Sequence, residues 1–279
     1  MDNNKEIAVV IPVYKSVLNE NEKISLSRCF EVLGDYPIIF VAAKDFIINE
    51  YTAFTHDVKY SEARFSNDYF EDIAGYNRLL KSEAFYKEFS IYKYILIYQL
   101  DAFVFRNELS KWADAGYDYI GAPWFKGYGL AEAHTELTAV GNGGFSLRNI
   151  SAASKILYKI KFFRRLKKFW FKSRLQSIVR YDKLLSLLSG RYNIKDPIRL
   201  KDLFFEYPIN EDIFWSQIVP EVFADYKVAP VSEAIKFSFE VNPSKLFKMN
   251  NNELPFGCHA WEKYEPEFWQ PLIAGYSHA

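Results

Sequence analysis

Tyr94-Ile-Leu-Ile-Tyr-Gln-Leu-Asp-Ala-Phe-Val-Phe105 is the stretch on which the fold class turns. Its opening run, Tyr94 to Tyr98, is apolar enough to form a buried strand. The run breaks at Gln99 and Asp101, and apolar residues resume at once. A carboxylate between two apolar runs is costly to bury unless something pairs with it. Two readings stay open. Asp101 caps the turn after the strand, or it meets a divalent cation that carries a diphosphate.

Working outward, Ile7-Ala-Val-Val-Ile-Pro-Val-Tyr14 is a second apolar strand that stops at Pro12. Leu18 to Leu33 has helical spacing and ends at Gly34, and Pro37 to Ala42 is again strand-like. Glu71 to Phe89 predicts one helix, with Ile73, Tyr76, Leu79, Leu80 and Phe85 on one side. Apolar runs separated by helices imply a parallel sheet covered on both faces. Ligands of such sheets bind at the carboxyl ends of the strands. Pro12, Val13 and Tyr14 therefore share an edge with Gln99 and Asp101. Further on, Trp112 to Gly116 ends a short helix, and Tyr117 to Trp124 reads as a strand and a turn. Lys126 to Gly129 reads as a mobile loop, and Val140 to Arg148 as a strand returning to the active edge. Ser151 to Leu188 is helical, Pro208 to Pro220 contains another helix, and short strands and loops follow Tyr226. No repeat or low-complexity tract interrupts the chain.

At 279 residues the chain is long enough for one large domain with a sizeable core, and 49% hydrophobic residues exclude disorder. The 25 Phe and 20 Tyr serve a bulky core or stacking surfaces for sugars and bases. Balanced charge, 35 basic against 35 acidic residues, argues against general nucleic-acid binding. Cys29 and Cys258 lack metal-type spacing and suit a reducing compartment, although the two could pair. The apolar run Ile7 to Val13 is too short, and lacks the basic lead-in, for a signal peptide. No run approaches the ~18 apolar residues of a spanning helix. The expected location is cytoplasmic, or peripheral on the inner face of the cytoplasmic membrane.

Three later segments add to the pattern: Val140-Gly-Asn-Gly-Gly-Phe-Ser-Leu-Arg148, Asn210-Glu-Asp-Ile-Phe-Trp215 and Phe256-Gly-Cys-His-Ala-Trp261. With the two strands, their order and spacing resemble the GT-A class of nucleotide-sugar glycosyltransferases. More narrowly, the chain is similar to a family of bacterial glycosyltransferase-like proteins found among surface-polysaccharide genes. The resemblance runs from about Ile7 to Trp261. It implies an α/β fold, with a GT-A-like Rossmann-type mixed, mostly parallel sheet flanked by helices. The whole chain, 1–279, would be one domain. Residues 1–105 would form a nucleotide-binding half. Residues 106–279 would form an acceptor-binding half, with a basic helical insertion at about 151–190. The implied activity moves a sugar from a nucleoside diphosphate, UDP-linked, to a hydroxyl of a saccharide or lipid-linked saccharide.

The same resemblance suggests roles. Such enzymes carry Asp-x-Asp at the end of the central strand, and here Gln99 replaces the first Asp. Asp101 becomes a ligand of Mn2+ or Mg2+, with Gln99 a weaker oxygen donor. A late His completes this site in many relatives, which points to His259, and an imidazole suits Mn2+ better than Mg2+. An ordinary loop histidine is the other reading. Glu211 and Asp212 open a helix that Asn210 would cap, where carboxylates are favoured by the dipole. Functionally, Asp212 would be the base and Glu211 would bind the acceptor, or the reverse. A base opposite the leaving group implies inversion.

Glycines 141, 143 and 144 permit close approach of backbone to ligand, or make a tight turn or bulge. The resemblance sets Asn142, Gly143, Gly144 and Trp261 against donor sugar and acceptor. Asn77 and Arg78 would reach the base or diphosphate, or simply lie on an exposed helix. Lys159 to Arg174 holds eight basic residues and no acid, with Phe162, Phe163, Leu166, Phe169 and Trp170 at helical spacing. That pattern suits an anionic membrane surface, or a packed helix with a solvated basic face. Two rival functions remain. A nucleotidyltransferase or sugar-phosphate transferase needs a Gly-rich loop after the first strand, and Pro12-Val-Tyr-Lys-Ser16 is not Gly-rich. A non-catalytic saccharide-binding protein on a degenerate transferase fold gains standing from Gln99.

Overall fold

The computed structural model describes residues 6–54, 58–127, 136–172, 180–197, 199–204 and 209–276. Its centre is a six-stranded sheet built from β1 (Ile7–Pro12), β2 (Ile38–Ala43), β3 (Tyr60–Phe65), β4 (Tyr94–Tyr98), β6 (Tyr119–Ile120) and β9 (Phe145–Asn149). The strand order is β3-β2-β1-β4-β9-β6. β1 pairs in parallel with β2 and β4, and β2 with β3, while β9 runs antiparallel to both β4 and β6. This is the expected α/β class with a mixed, mostly parallel sheet, and strands from both halves of the chain join in it.

β1 and β4 are buried along their whole length. A strand covered on both faces needs apolar side chains at every position, which is why these two are continuous runs. One face packs Ala8, Val10, Ile95 and Ile97 against α3 (Ile73–Leu79), α4 (Glu83–Glu88) and α6 (Ile150–Lys172) through Leu79, Phe85, Ile156 and Ile160. The other packs Val9, Ile11, Leu96 and Tyr98 against Leu26, Cys29 and Phe30 of α1 (Glu20–Leu33). A third cluster, with Phe103, Phe239, Cys258 and Trp269, surrounds a small sheet of β5 (Phe103–Val104), β10 (Ser238–Phe239) and β11 (Gly257–Cys258).

Three expected elements break where local chemistry dictates. The helix predicted over Glu71 to Phe89 is two helices, because Ser82 Oγ accepts the Phe85 N–H at 3.1 Å and starts a new one. Ile73, before that break, is 78% exposed rather than in the core. The strand Val140 to Arg148 is also two. β8 (Leu137–Gly141) pairs with β7 (Ala122–Phe125), β9 pairs with β4, and Asn142, Gly143 and Gly144 turn between them. Tyr117 to Trp124 likewise divides into β6 and β7, which lie in different sheets. β3 escaped the sequence reading because its first three residues are exposed at the sheet edge. The helical stretch after Ser151 is α6 and α7 (Tyr181–Tyr192), with 173–179 outside the described residues, as are Tyr128 and Gly129 of the expected mobile loop. Among the described residues no helix is long and apolar enough to cross a membrane.

Candidate functional site

A cleft of about 270 Å³ opens at the carboxyl ends of β1 and β4. Pro12, Tyr14, Lys15, Gln99, Asp101 and Lys263 are among its lining residues. Tyr14 is 60% exposed, whereas Val13 points into the core and its N–H donates to Val41 O at 2.9 Å. Lys15 Nζ reaches Glu22 Oε1 at 2.5 Å across the cleft wall.

Asp101 belongs to a three-residue relay that strand register assembles. Phe239 of β10 pairs with Cys258 of β11, and Cys258 pairs with Phe103 of β5. The residues just beyond these pairs are Glu240, His259 and, after one intervening alanine, Asp101. His259 Nε2 lies 3.1 Å from Asp101 Oδ1, and its Nδ1 lies 3.1 Å from Glu240 Oε1. Burial works against the imidazolium, but Asp101 and Glu240 outweigh it and push the His259 pKa up to about 10. Burial would raise the Asp101 pKa, yet the nearby charge of His259 holds it below the usual carboxylate range. Glu240 is 4% exposed and escaped the sequence reading. Its signal was available: an acid between Phe239 and Val241 is the same anomaly that marks Asp101.

The donor set can be tested against a divalent cation. His259 Nε2 is buried and makes no hydrogen bond of good geometry, although Asp101 Oδ1 is 3.1 Å away. Two cis donors on an octahedral ion with bonds of about 2.1 Å stand about 3 Å apart. Glu240 on Nδ1 is the kind of carboxylate that orients a ligating imidazole. Gln99 Nε2 donates to Tyr76 OH at 3.2 Å, which leaves its oxygen turned to Gly144. A Cβ on Gly144 would overlap His259 Nε2 and lie 2.7 Å from Gln99 Oε1, so these two donors converge on one point. The residues fit such an ion in part, since His259 would have to give up the proton that Asp101 and Glu240 favour before Nε2 could act as a donor. Among the described residues no group of three His, Cys, Asp or Glu side chains could hold a metal, so oxygen donors from outside these side chains would have to complete its shell.

Across the glycine turn lies the second acidic pair, on α8 (Glu211–Ile213). Glu211 is 3% exposed and gives both oxygens to Arg148, at 2.6 and 2.8 Å. Arg148, 1% exposed, also donates to Ser146 Oγ from Nε and Nη2. Sequence reasoning passed over it, because β9 reads Phe-Ser-Leu-Arg-Asn and alternates apolar with polar residues as a half-exposed strand would. Asp212 is the other member of the pair. Burial and then the Glu211 charge push its pKa up to about 6. A Cβ on Gly143 would overlap Glu211 Oε1 and lie 3.9 Å from Asp212 Cβ. Gly143 thus abuts the Glu211–Asp212 pair, and the next residue, Gly144, abuts His259. Consecutive Cα atoms are only about 3.8 Å apart. The two centres are therefore neighbours, and a side chain on either glycine would wedge them open.

The remaining expected residues have other tasks. Asn210 makes no side-chain cap to α8. Instead Asn77 Oδ1 accepts the Glu211 N–H at 2.7 Å, so this residue of α3 anchors the acidic pair and does not reach the cleft. Arg78 is exposed and donates to Asp68 O at 3.1 Å, and it is not among the residues that line the cleft. Asn142 is buried at φ +93°, and its Oδ1 accepts the N–H groups of Gly144 and Phe145, both at 3.1 Å. Its carbonyl thus builds the turn, while its buried Nδ2 makes no hydrogen bond among the described residues. Trp261 is 4% exposed and packed in the third core cluster.

The Arg148–Glu211 pair makes a stability prediction. Removing one partner of a buried pair leaves an uncompensated charge at a cost of about 3–5 kcal/mol. Arg148→Met is expected to lose that much in chemical denaturation, and Glu211→Gln with Arg148→Met together less than the sum of the two single changes. Additive losses would show that the two side chains are energetically independent.

The fold is of the α/β class, with a central mixed sheet and a polar cleft at its parallel strand ends, the place where ligands of such sheets bind. The chain belongs to the family described as protein of unknown function (DUF5672), whose model matches residues 59–259. No curated protein matches it by sequence. Among solved structures it is similar to mouse xyloside xylosyltransferase 1 in the apo form, at 13% identity and a TM-score of 0.47, over 91% of this chain and 97% of that one. The mannosyltransferase Ktr4p from S. cerevisiae is 10% identical with a TM-score of 0.45, over 80% of this chain and 67% of that one. Core-mannan synthase A from Aspergillus fumigatus, in its Mn/GDP form, is 13% identical with a TM-score of 0.45, over 80% of this chain and 72% of that one.

Proposed function

We propose that the protein is a GT-A-type glycosyltransferase. It moves a sugar from a nucleoside diphosphate, UDP-linked, to a saccharide or lipid-linked saccharide hydroxyl, with inversion, in bacterial surface-polysaccharide synthesis. One observation carries the reading: Asp101 and His259 meet at the carboxyl ends of the central strands, and Asp212 stands one glycine away. The donor lies in the cleft between β1 and β4, with Lys15 and Lys263 beside its diphosphate. Ammonium groups there offset the charge that grows on the leaving group. Asp212, with a pKa of about 6, is ionised at neutral pH yet basic enough to take a proton from the acceptor hydroxyl. The freed oxygen attacks the anomeric carbon, and the bond from that carbon to the diphosphate oxygen breaks. Asp101 and His259 would hold Mn2+ or Mg2+, which supplies further charge neutralisation when bound. The enzyme would work in the cytoplasm or on the inner face of the cytoplasmic membrane.

Hydrolysis and transfer assays across several nucleotide sugars, with and without Mn2+, test this. Slow release of nucleoside diphosphate from a uridine diphosphate sugar, quickened by a saccharide acceptor, is the expected result. Exchange of pyrophosphate with a sugar phosphate would indicate a nucleotidyltransferase instead. Saccharide binding without turnover of any donor would leave a non-catalytic binding protein.

A further inference from the structure

α6 carries no acidic side chain over its 23 residues, and the structure sorts its cations into two groups. The first group is engaged internally. Lys155 and Lys159 both reach Asp225, Lys161 pairs with Glu83, and Arg164 donates to Leu203 O at 2.9 Å. The second group comprises Arg165, Lys168 and Lys172, all exposed and without an acidic partner among the described residues. These three are spaced by three and four residues, so they lie on one side of the helix. Tyr158, 65% exposed, and Phe169, 61% exposed, fall on the same side. The fully buried residues of α6 end at Phe163, and beyond it Leu166 and Trp170 pack partly buried against the core on the side opposite this stripe.

We propose that this outward stripe of α6 is a docking surface for an anionic lipid bilayer. The stripe is about 21 Å long from Tyr158 to Lys172 at 1.5 Å per residue, which matches a flat charged plane better than a pocket. Cations alone would suit any polyanion. Two large exposed aromatic rings in line with them favour an interface that accepts apolar side chains beneath a layer of negative charge. Salt therefore weakens the attachment but does not remove its aromatic part. Arg164 fixes the helix to the body of the protein through Leu203 O, which holds the stripe facing outward. The surface itself does not depend on the glycosyltransferase reading, since the binding experiment measures no turnover.

Vesicle sedimentation of the full chain is the test, with phosphatidylglycerol in phosphatidylcholine against phosphatidylcholine alone. Tight binding to the anionic vesicles only is expected. Each cation near such a surface is worth roughly fivefold in affinity, so replacing Arg165, Lys168 and Lys172 together by Gln should weaken binding about a hundredfold. Phe169→Ser should leave low-salt binding largely intact and weaken what survives at high salt, and Tyr158→Ser with Phe169→Ser should abolish it. Matching circular dichroism and thermal melts keep loss of binding distinct from loss of fold. Equal binding of the triple variant and the original protein would overturn the proposal. So would absence of binding by the original protein at low salt, or binding to heparin or nucleic acid with none to vesicles.

Discussion

Asp101→Ala is expected to abolish sugar transfer, by a factor of a thousand or more, while leaving the thermal melt nearly unchanged. The side chain is 44% exposed at the edge of the cleft, and exposed ion pairs contribute at most about 1 kcal/mol. Glu240 remains on Nδ1, so His259 keeps a carboxylate partner after the substitution. What disappears is the oxygen that stands 3.1 Å from Nε2 and, with it, the donor pair at the strand ends. Calorimetric titration with Mn2+ in the presence of a nucleoside diphosphate should show the same loss. Full transfer by the variant would remove the diphosphate-anchoring role from Asp101. Lost transfer with a large fall in melting temperature would instead mark Asp101 as a structural partner of His259.

Asp212→Asn should remove turnover and preserve donor binding. The amide keeps the shape and reach of the carboxylate but cannot accept the hydroxyl proton at neutral pH. The pH profile of the unmodified protein follows from the raised pKa. Turnover should fall as pH drops through about 6, where Asp212 takes up a proton. Stability runs the other way. A carboxyl whose pKa is higher folded than unfolded binds its proton more tightly in the folded state. Its contribution is most favourable below the ordinary carboxylate range and is lost as pH rises through about 6. Asp212 therefore destabilises the fold at neutral pH, and Asp212→Asn should melt at the same temperature or higher. A variant that loses donor affinity in proportion to rate would place the residue on the donor side. A variant with normal turnover would leave Asp212 as a helix-start carboxylate only.

The most legible features were those for which burial alone determines residue type. β1 and β4 announce themselves because a strand covered on both faces has no position for a polar side chain. Asp101 stood out for the same reason, as a charge inside such a run. The identical logic would have flagged Glu240, which sits between Phe239 and Val241, but not Arg148, which falls in the alternating strand Phe-Ser-Leu-Arg-Asn. Helix breaks were less visible. Ser82 interrupts a continuous helical pattern by taking up one backbone N–H, a local hydrogen bond that hydrophobic spacing does not record.

By itself, then, the sequence determined the central strands, the edge on which their carboxyl ends gather, and the expense of burying particular charges. Only the tertiary structure decided which charge answers which. Arg148 meets Glu211 across 63 residues, and Asn77 rather than Asn210 anchors the start of α8 across 134. Asp101, His259 and Glu240 come together because two short strand pairings bring their ends into register. The turn at Gly143 and Gly144 then sets that relay against Asp212. The physical reason is that desolvation is a property of one residue and its neighbours in sequence, whereas its compensation depends on long-range chain closure.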